Sequence, residues 1–435
     1  MDYEWIMPVF NRFFKIAVLF IPFLISGCAS GLEYSKLEMQ MVRKDCDAAL
    51  EYVKSKKRTY GANMRLNYLL DMAMINLRCG NYDDSSHHFK KAEDLAEKLW
   101  TKSVSRETAA FLASDYTIPY DGEDFERAGI NLFSALAYAL KGDHDEALVE
   151  CRRLDSVLTM YNEKYEEKNV YKEDAFGRYL SGIIYEAQGE LEDAYIDYYK
   201  ALKTYKDYEK AYGTEKPHIL LEDIKRTARA TGRDAELVDE ISELSHVEAI
   251  DMKKARQMGK VVLVHLNGKS PIKKSRMITA ASKKGPVSVA FPQYEVEPPA
   301  CAKSKLIARS ASAATTAATE LVEDINQIAL KNLEDRKGRV LLKALARAAV
   351  KQAAANKLIE DDSLRAVFNI LNTAVIERAD TRTWRTLPGE VKMARLFLNE
   401  GDYSIYASHC GREKHIKNIS VKAGKTDFFL FDTIY

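Results

Sequence analysis

An acid, two guanidinium groups and an indole fall within six positions at Asp380, Arg382, Trp384 and Arg385. The planar forks of two arginines match a carboxylate or a phosphate, so this segment is a candidate anion clamp. The same residues also fit a structural role, and that role is the expectation: Asp380 caps a local turn, Trp384 packs over the helices inserted before it, and the arginines satisfy buried carbonyls. A second group is Arg339, Lys343, Arg347 and Lys351, which recur every four residues and therefore share one side of a helix, opposite Leu341, Leu345 and Ala348. A solvated face is expected there, with an anionic partner, a lipid headgroup or an acidic repeat surface as alternatives. His409, Cys410 and His415 offer nitrogen and sulfur, but a structural zinc site wants a fourth ligand and firmer spacing. Turn and edge positions account for them, and no metal is expected. His87 and His88 read as the solvent side of a helix. HExxH, P-loop, GxGxxG and GxSxG patterns are absent from the sequence, which removes the best-marked metalloprotease, nucleotide and esterase sites. No cofactor is expected, and an enzyme reading is weakened without being closed.

Ser270-Pro271-Ile272-Lys273 resembles the SxxK of penicillin-recognising enzymes, yet no SDN or KTG accompanies it and it lies in a basic loop between strands; it reads as chance. The N-terminus is more specific. Arg12 and Lys15 precede an apolar run at residues 16 to 25 that is too short to span a bilayer, followed by Leu24-Ile25-Ser26-Gly27-Cys28. This resembles the lipobox of bacterial lipoprotein precursors, with residues 1 to 27 as signal peptide and Cys28 as the lipidated residue. Asp2 and Glu4 do not suit an n-region, so Met7 is the expected initiator. Ala29 rather than Asp after Cys28 implies, by resemblance to enterobacterial sorting, the periplasmic side of the outer membrane. The remaining Cys46, Cys79, Cys151, Cys301 and Cys410 are odd in number. A Cys46–Cys79 bridge is conceivable, but unpaired buried cysteines are the expectation.

The elements that must position these residues divide into two halves. Three segments share one spacing of small and aromatic residues: Ala73, Gly80, Tyr82, Ser85, Phe89, Ala92; then Ala135, Tyr138, Gly142, His144, Ala147, Cys151; then Gly182, Tyr185, Gly189, Leu191, Ala194, Tyr198. This resembles the tetratricopeptide repeat (TPR), where a small residue allows close helix crossing and a Gly makes the left-handed turn. The turn glycines are 62 and 47 residues apart, wider than the ~34 of a continuous array. Residues 219 to 241 around Gly232 can form a further pair, too degenerate to count as a repeat. In TPR arrays the first helix of each hairpin lines a groove that docks a peptide, so the resemblance places partner-binding residues at Leu70, Met74, Leu77, Leu132, Leu136, Phe176, Tyr179, Ile183 and Glu186. That groove could equally be filled by the protein's own leading helix.

From Gly259 the pattern turns to strands at residues 261 to 264 and 287 to 291, and later at 391 to 398, 403 to 407, 416 to 421 and 428 to 431. Helix is expected from about 311 to 379. The fold class is therefore mostly α: a TPR-like helical-repeat array over residues 28 to 258, then a smaller mixed domain over 259 to 435, a β-sandwich interrupted by a helical insertion. Gly177-Arg178-Tyr179-Leu180-Ser181-Gly182, Ala290-Phe291-Pro292-Gln293-Tyr294, Asp324-Ile325-Asn326-Gln327-Ile328-Ala329 and residues 380 to 388 together resemble a family of Gram-negative TPR lipoproteins. The resemblance implies architecture and location and supplies no reaction.

The net charge of the 435 residues is +1, which excludes a uniformly basic nucleic-acid binder. That near-neutrality hides a partition: residues 28 to 246 carry 31 Lys+Arg against 42 Asp+Glu, whereas 247 to 360 carry 21 against 10. The expected function is a non-catalytic scaffold, anchored to the membrane by an N-terminal lipid and docking protein partners of the cell envelope. The alternatives are an enzyme or enzyme activator acting on peptidoglycan or a surface polymer, and an accessory subunit of a secretion system.

Overall fold

The computed structural model describes residues 32–105, 118–165, 171–282, 285–358 and 379–434. Cys28 and the signal-peptide segment lie outside them. The first half is helical: α1 (Tyr34–Val42), α2 (Cys46–Ser55), α3 (Lys57–Tyr60), α4 (Arg65–Arg78), α5 (Tyr82–Ser105), α6 (Asp124–Lys141), α7 (His144–Tyr165), α8 (Ala175–Gln188), α9 (Leu191–Tyr212), α10 (His218–Ala230), α11 (Asp234–Glu240) and α12 (Met252–Ala255). Three antiparallel hairpins, α4/α5, α6/α7 and α8/α9, are the TPR-like units. Each turns at a left-handed glycine, Gly80, Gly142 or Gly189, with φ of 80°, 87° and 84°. In each turn the residue after the glycine donates its N–H back to a carbonyl five positions earlier: Asn81 to Asn76, Asp143 to Tyr138, and Glu190 to Tyr185, all at 2.9 Å. This is the Schellman closure that satisfies the last helical carbonyls. Gly232 (φ 76°) makes a fourth such turn, with Arg233 N–H bonded to the Ala228 carbonyl at 2.8 Å, so the degenerate pair after the repeats is a hairpin of the same build.

The small residues sit where backbones approach. Gly182 lies against the Tyr198 ring, with no room for a Cβ, and Ala73, Ala135, Ala147, Ala194 and Phe89 are fully buried.

The second half begins with β1 (Gly259–Asn267), β2 (Ile272–Ser282), β3 (Gly285–Glu295), β4 (Ser304–Arg309), β5 (Ala314–Ala318) and β6 (Glu320–Asp324). It continues with α13 (Ile325–Leu358), β7 (Glu390–Leu398), β8 (Gly401–His409), β9 (Arg412–Val421) and β10 (Thr426–Thr433). An inner sheet runs β10-β1-β7-β6 and an outer sheet β5-β4-β8-β9, with β2-β3 a separate hairpin. The inner sheet is mixed, because β1 pairs parallel with β10 and antiparallel with β7. Helix was expected from about residue 311. The chain instead forms β5 and β6 before α13 starts at Ile325, because the Ala/Thr run of residues 313 to 319 supplies an exposed sheet edge, where β-branched threonine is favoured.

Two cores explain the run Val261-Val262-Leu263-Val264, in which every residue is buried. Val262, Val264, Val391, Met393 and Phe428 face the helices. Val261, Leu263, Ala394, Leu396 and Phe429 face Leu306, Ala308, Ile405 and Ala407 of the outer sheet. The inner sheet is thus covered on both sides, and its central strand reads as a continuous apolar run rather than an alternating one. The result is three layers: repeat helices, inner sheet, outer sheet.

The expectation of unpaired cysteines is overturned. Cys46–Cys79 and Cys301–Cys410 are disulfides, leaving Cys151 free and buried. The second bridge is 109 residues apart in sequence and follows from strand register: β4 pairs with β8 so that Ser304 opposes His409, and the β8–β9 turn then carries Cys410 to Cys301.

Candidate functional site

The nine groove positions are all inside the protein. Leu70, Met74, Leu77, Leu132, Leu136, Phe176, Tyr179 and Ile183 are each buried, and the Glu186 side chain is 5% exposed. Of the two readings of the groove, open to a peptide or filled by the chain itself, the structure has the filled one. The leading helix α2 packs along α4, and the inner sheet, the start of α13 and the segment after it cover α6 and α8. Leu132 shares a small cavity with Ile325, Ile328 and Leu387, and His144 meets Phe428 edge-on at 6.0 Å.

Residues 380 to 387 are the wedge. Trp384 is wholly buried, its ring edge-on to Phe89 and Phe133 at 6.1 and 6.0 Å, against Gly129. It therefore packs between α5 and α6 rather than over the inserted helix, because the glycine leaves a slot there for the indole. The Trp384 N–H and the Thr383 hydroxyl each donate to Glu126 Oε1 at 2.7 Å. Asn67 donates to the Thr383 carbonyl at 3.0 Å. The indole N–H donates to Thr386 Oγ1 at 2.9 Å, and that hydroxyl donates to Asp71 at 2.8 Å.

The guanidinium groups of the anion-clamp candidate serve internal partners. Arg382 donates to both Asp380 oxygens and to the carbonyls of Asn63 (3.2 Å) and Ile118 (2.7 Å). The Asp380 carboxylate also accepts the Arg382 backbone N–H at 3.0 Å, closing a local turn. Arg385 bonds Glu38 at 3.3 Å and lies over the Tyr34 ring.

Two further buried networks tie the halves together. Glu186 accepts from Arg226 (2.7 Å), Lys260 (2.6 Å) and Tyr198 (2.7 Å). Asp223 accepts from Tyr179 at 2.7 Å and pairs with Arg226 and with Arg395 of β7. Burial opposes the charge on both acids, but the cations outweigh it and hold them below the usual carboxylate range. On the other side, Glu123 pairs with Lys273 of the β2–β3 hairpin and Arg336 of α13. Burial would raise its pKa, yet those cations hold it at about 2. Asp71 is the opposite case: burial pushes it up to about 6 against hydrogen bonds from Tyr60 and Tyr34 at 2.7 and 2.8 Å.

No family model matches this chain, and no curated protein does. Among solved structures it is similar to MamA at 15% identity, over 48% of this chain and 85% of that one, with a TM-score of 0.31. It is also similar to BtubC from P. vanneervenii at 10% identity, over 48% and 76%, with a TM-score of 0.33. The TPR-like repeats of a Podosopora anserina kinesin light chain align at 13% identity over 49% and 93%, with a TM-score of 0.33. At these scores the likeness says nothing of function.

The other sequence candidates scatter. His409 lies beside the Cys301–Cys410 bridge, its Nε2 at 3.1 Å from the Cys301 carbonyl oxygen. His415 instead meets Asn418 at 2.8 Å. Ser270 precedes a strand rather than opening a helix, and Lys273 is engaged by Glu123 and the Arg382 carbonyl. Arg339, Lys343, Arg347 and Lys351 lie on α13, but their side chains are outside the described part. Asp71, Glu123, Glu126, Asp223, Arg226, Lys260 and Arg395 were missed. Their signal was an ionisable residue inside an otherwise apolar periodic run, as in Leu70-Asp71-Met72 or Ala394-Arg395-Leu396, where a charge is buried only if partnered.

Proposed function

We propose that this chain is a non-catalytic scaffold of the bacterial cell envelope, held by an acylated Cys28 at the inner leaflet of the outer membrane and facing the periplasm. The anchor and its location are supported by the sequence alone: the basic n-region, the short apolar run, the Leu24 to Cys28 pattern and the resemblance to Gram-negative TPR lipoproteins. No helix among the described residues is long and apolar enough to cross a membrane. The scaffold role is supported by the TPR-like hairpins, and the observation that carries it is the filled groove. A repeat array whose concave side is packed on its own inner sheet is a rigid platform, and its protein partners meet the outer helices, the outer sheet or α13 rather than the concave side. In this reading the repeat unit of residues 28 to 258 and the sheet unit of 259 to 435 act as one body.

The test couples acylation to capture. Cys28→Ala should abolish incorporation of labelled palmitate and release the chain from the membrane fraction. Cross-linking in intact envelopes, followed by sequencing of co-purified proteins, should return one reproducible partner that substitutions on outer surfaces remove and groove substitutions remove only by unfolding. A chain that stays monomeric in that experiment, while the purified protein turns over an envelope polymer, would sink the scaffold reading.

A further inference from the structure

The β2–β3 hairpin and α13 carry long stretches of one charge sign. Residues 272 to 294 contain five Lys and Arg and no acid, and residues 336 to 358 contain seven Lys and Arg and no acid. At the root of these elements the charges are answered, Lys273 and Arg336 by Glu123 of the repeat half and Lys274 and Arg276 by Glu295 at the end of β3 itself. Beyond Arg336, α13 carries six basic residues with no acidic residue on the same stretch.

Four large apolar side chains among the described residues of these elements are exposed. Leu342 is 70% and Leu345 46% exposed on α13, and Met277 is 52% and Ile278 44% exposed on β2. By helical register, Leu341, Leu342 and Leu345 occupy the side of α13 opposite the Arg339–Lys343–Arg347–Lys351 stripe. Exposed leucines on one side and a basic stripe on the other are the composition of a helix that lies in a membrane interface, with apolar residues among the acyl chains and cations at the headgroups. A soluble polyanion would satisfy the cations and leave the leucines in water.

We infer that the arm formed by α13 and the β2–β3 hairpin docks on an anionic lipid surface. The charge of that surface complements the stripe, and its hydrocarbon boundary takes Leu342 and Leu345. The inference does not need the lipid anchor: it concerns residues more than two hundred positions from Cys28.

The experiment uses the chain from residue 29 onward, which contains every described residue and no acylation site. Co-sedimentation should show binding to vesicles of phosphatidylglycerol and phosphatidylcholine, weakened by salt, and little binding to phosphatidylcholine alone. Replacing Lys343 and Arg347 by Gln should weaken binding about thirtyfold, from the loss of two basic residues at the surface. Leu342→Ser should weaken it about tenfold with unchanged circular dichroism. Equal binding to both vesicle types, or none to either, would overturn the inference. So would chain self-association that disappears in the Lys343→Gln/Arg347→Gln variant, which would make the acidic half of a second copy the occupant. Failure here leaves palmitate labelling of Cys28 untouched, so the two readings fall separately.

Discussion

Charge is handled in opposite ways at the interface between repeats and inner sheet and on the arm. At the interface the ionisable groups are buried and answered: Arg226 by Glu186 and Asp223, Arg395 by Asp223 and Glu222, Arg78 by Asp432. The stretch of α13 after Arg336 contains six basic residues and no acid, and Leu342 and Leu345 are exposed on it. A charge inside a protein is tolerated only with a partner, so the first region is built to stay closed. A stretch of one charge sign beside exposed apolar surface suits a contact made outside the chain. The difference separates the part of the molecule that maintains its shape from the part that meets something else.

The comparison can be broken first at the interface. Trp384→Ala and Asp223→Ala should each destabilise the protein by about 3 to 5 kcal/mol in urea unfolding, the first by opening a cavity and the second by leaving Arg226 and Arg395 buried with one fewer partner. A loss below about 1 kcal/mol from either would mean that the groove is not packed as described. Acid should act next, with two opposite signs. Glu123, held at about 2, binds fewer protons folded than unfolded, so its contribution is present above about pH 4.5 and is lost as pH falls toward 2, about 3 kcal/mol in all. Asp71, raised to about 6, binds more protons folded, so stability is lost as pH rises from about 4 to 6. Glu123→Gln should flatten the acid limb of a stability-versus-pH curve, and Asp71→Asn should remove the decline above pH 4; unchanged slopes would contradict these environments.

Reducing the Cys46–Cys79 and Cys301–Cys410 bridges should lower stability by about 2 to 4 kcal/mol. Peptide mapping without reductant should recover both pairs, with Cys151 as the free thiol. The smallest effect belongs to the arm: Leu342→Ser should change folding stability by less than about 0.5 kcal/mol, and a large loss would mean that the helix is covered after all.

Much of this was legible in the sequence, for identifiable reasons. Gly80, Gly142 and Gly189 announced their turns because only a left-handed residue closes a Schellman motif cheaply. The strand at Val261 announced itself as a continuous apolar run, and the one at Val391 as a mostly apolar stretch before the Asn399 to Asp402 turn. The filled groove was not legible: Leu132 or Phe176 has the same composition whether it faces a peptide or a sheet of its own chain. Neither was the Cys301–Cys410 bridge, which depends on the β4–β8 register. Trp384 was visible as a structural residue, but its slot against Gly129 needed the packing of α6. Asp223, Arg226 and Arg395 stood inside apolar periodic runs, but their mutual pairing depends on the packing of α10 against β7.

The central claim is that the repeat groove is closed by the protein's own inner sheet and Trp384 wedge, and one fluorescence measurement tests it most directly. In the chain from residue 29 onward, Trp100→Phe leaves Trp384 as the sole tryptophan. Emission should be blue-shifted and resistant to iodide and acrylamide until the whole chain unfolds in a single transition. Red-shifted, freely quenched emission from the folded protein would show the wedge withdrawn and the groove open, and would contradict the account.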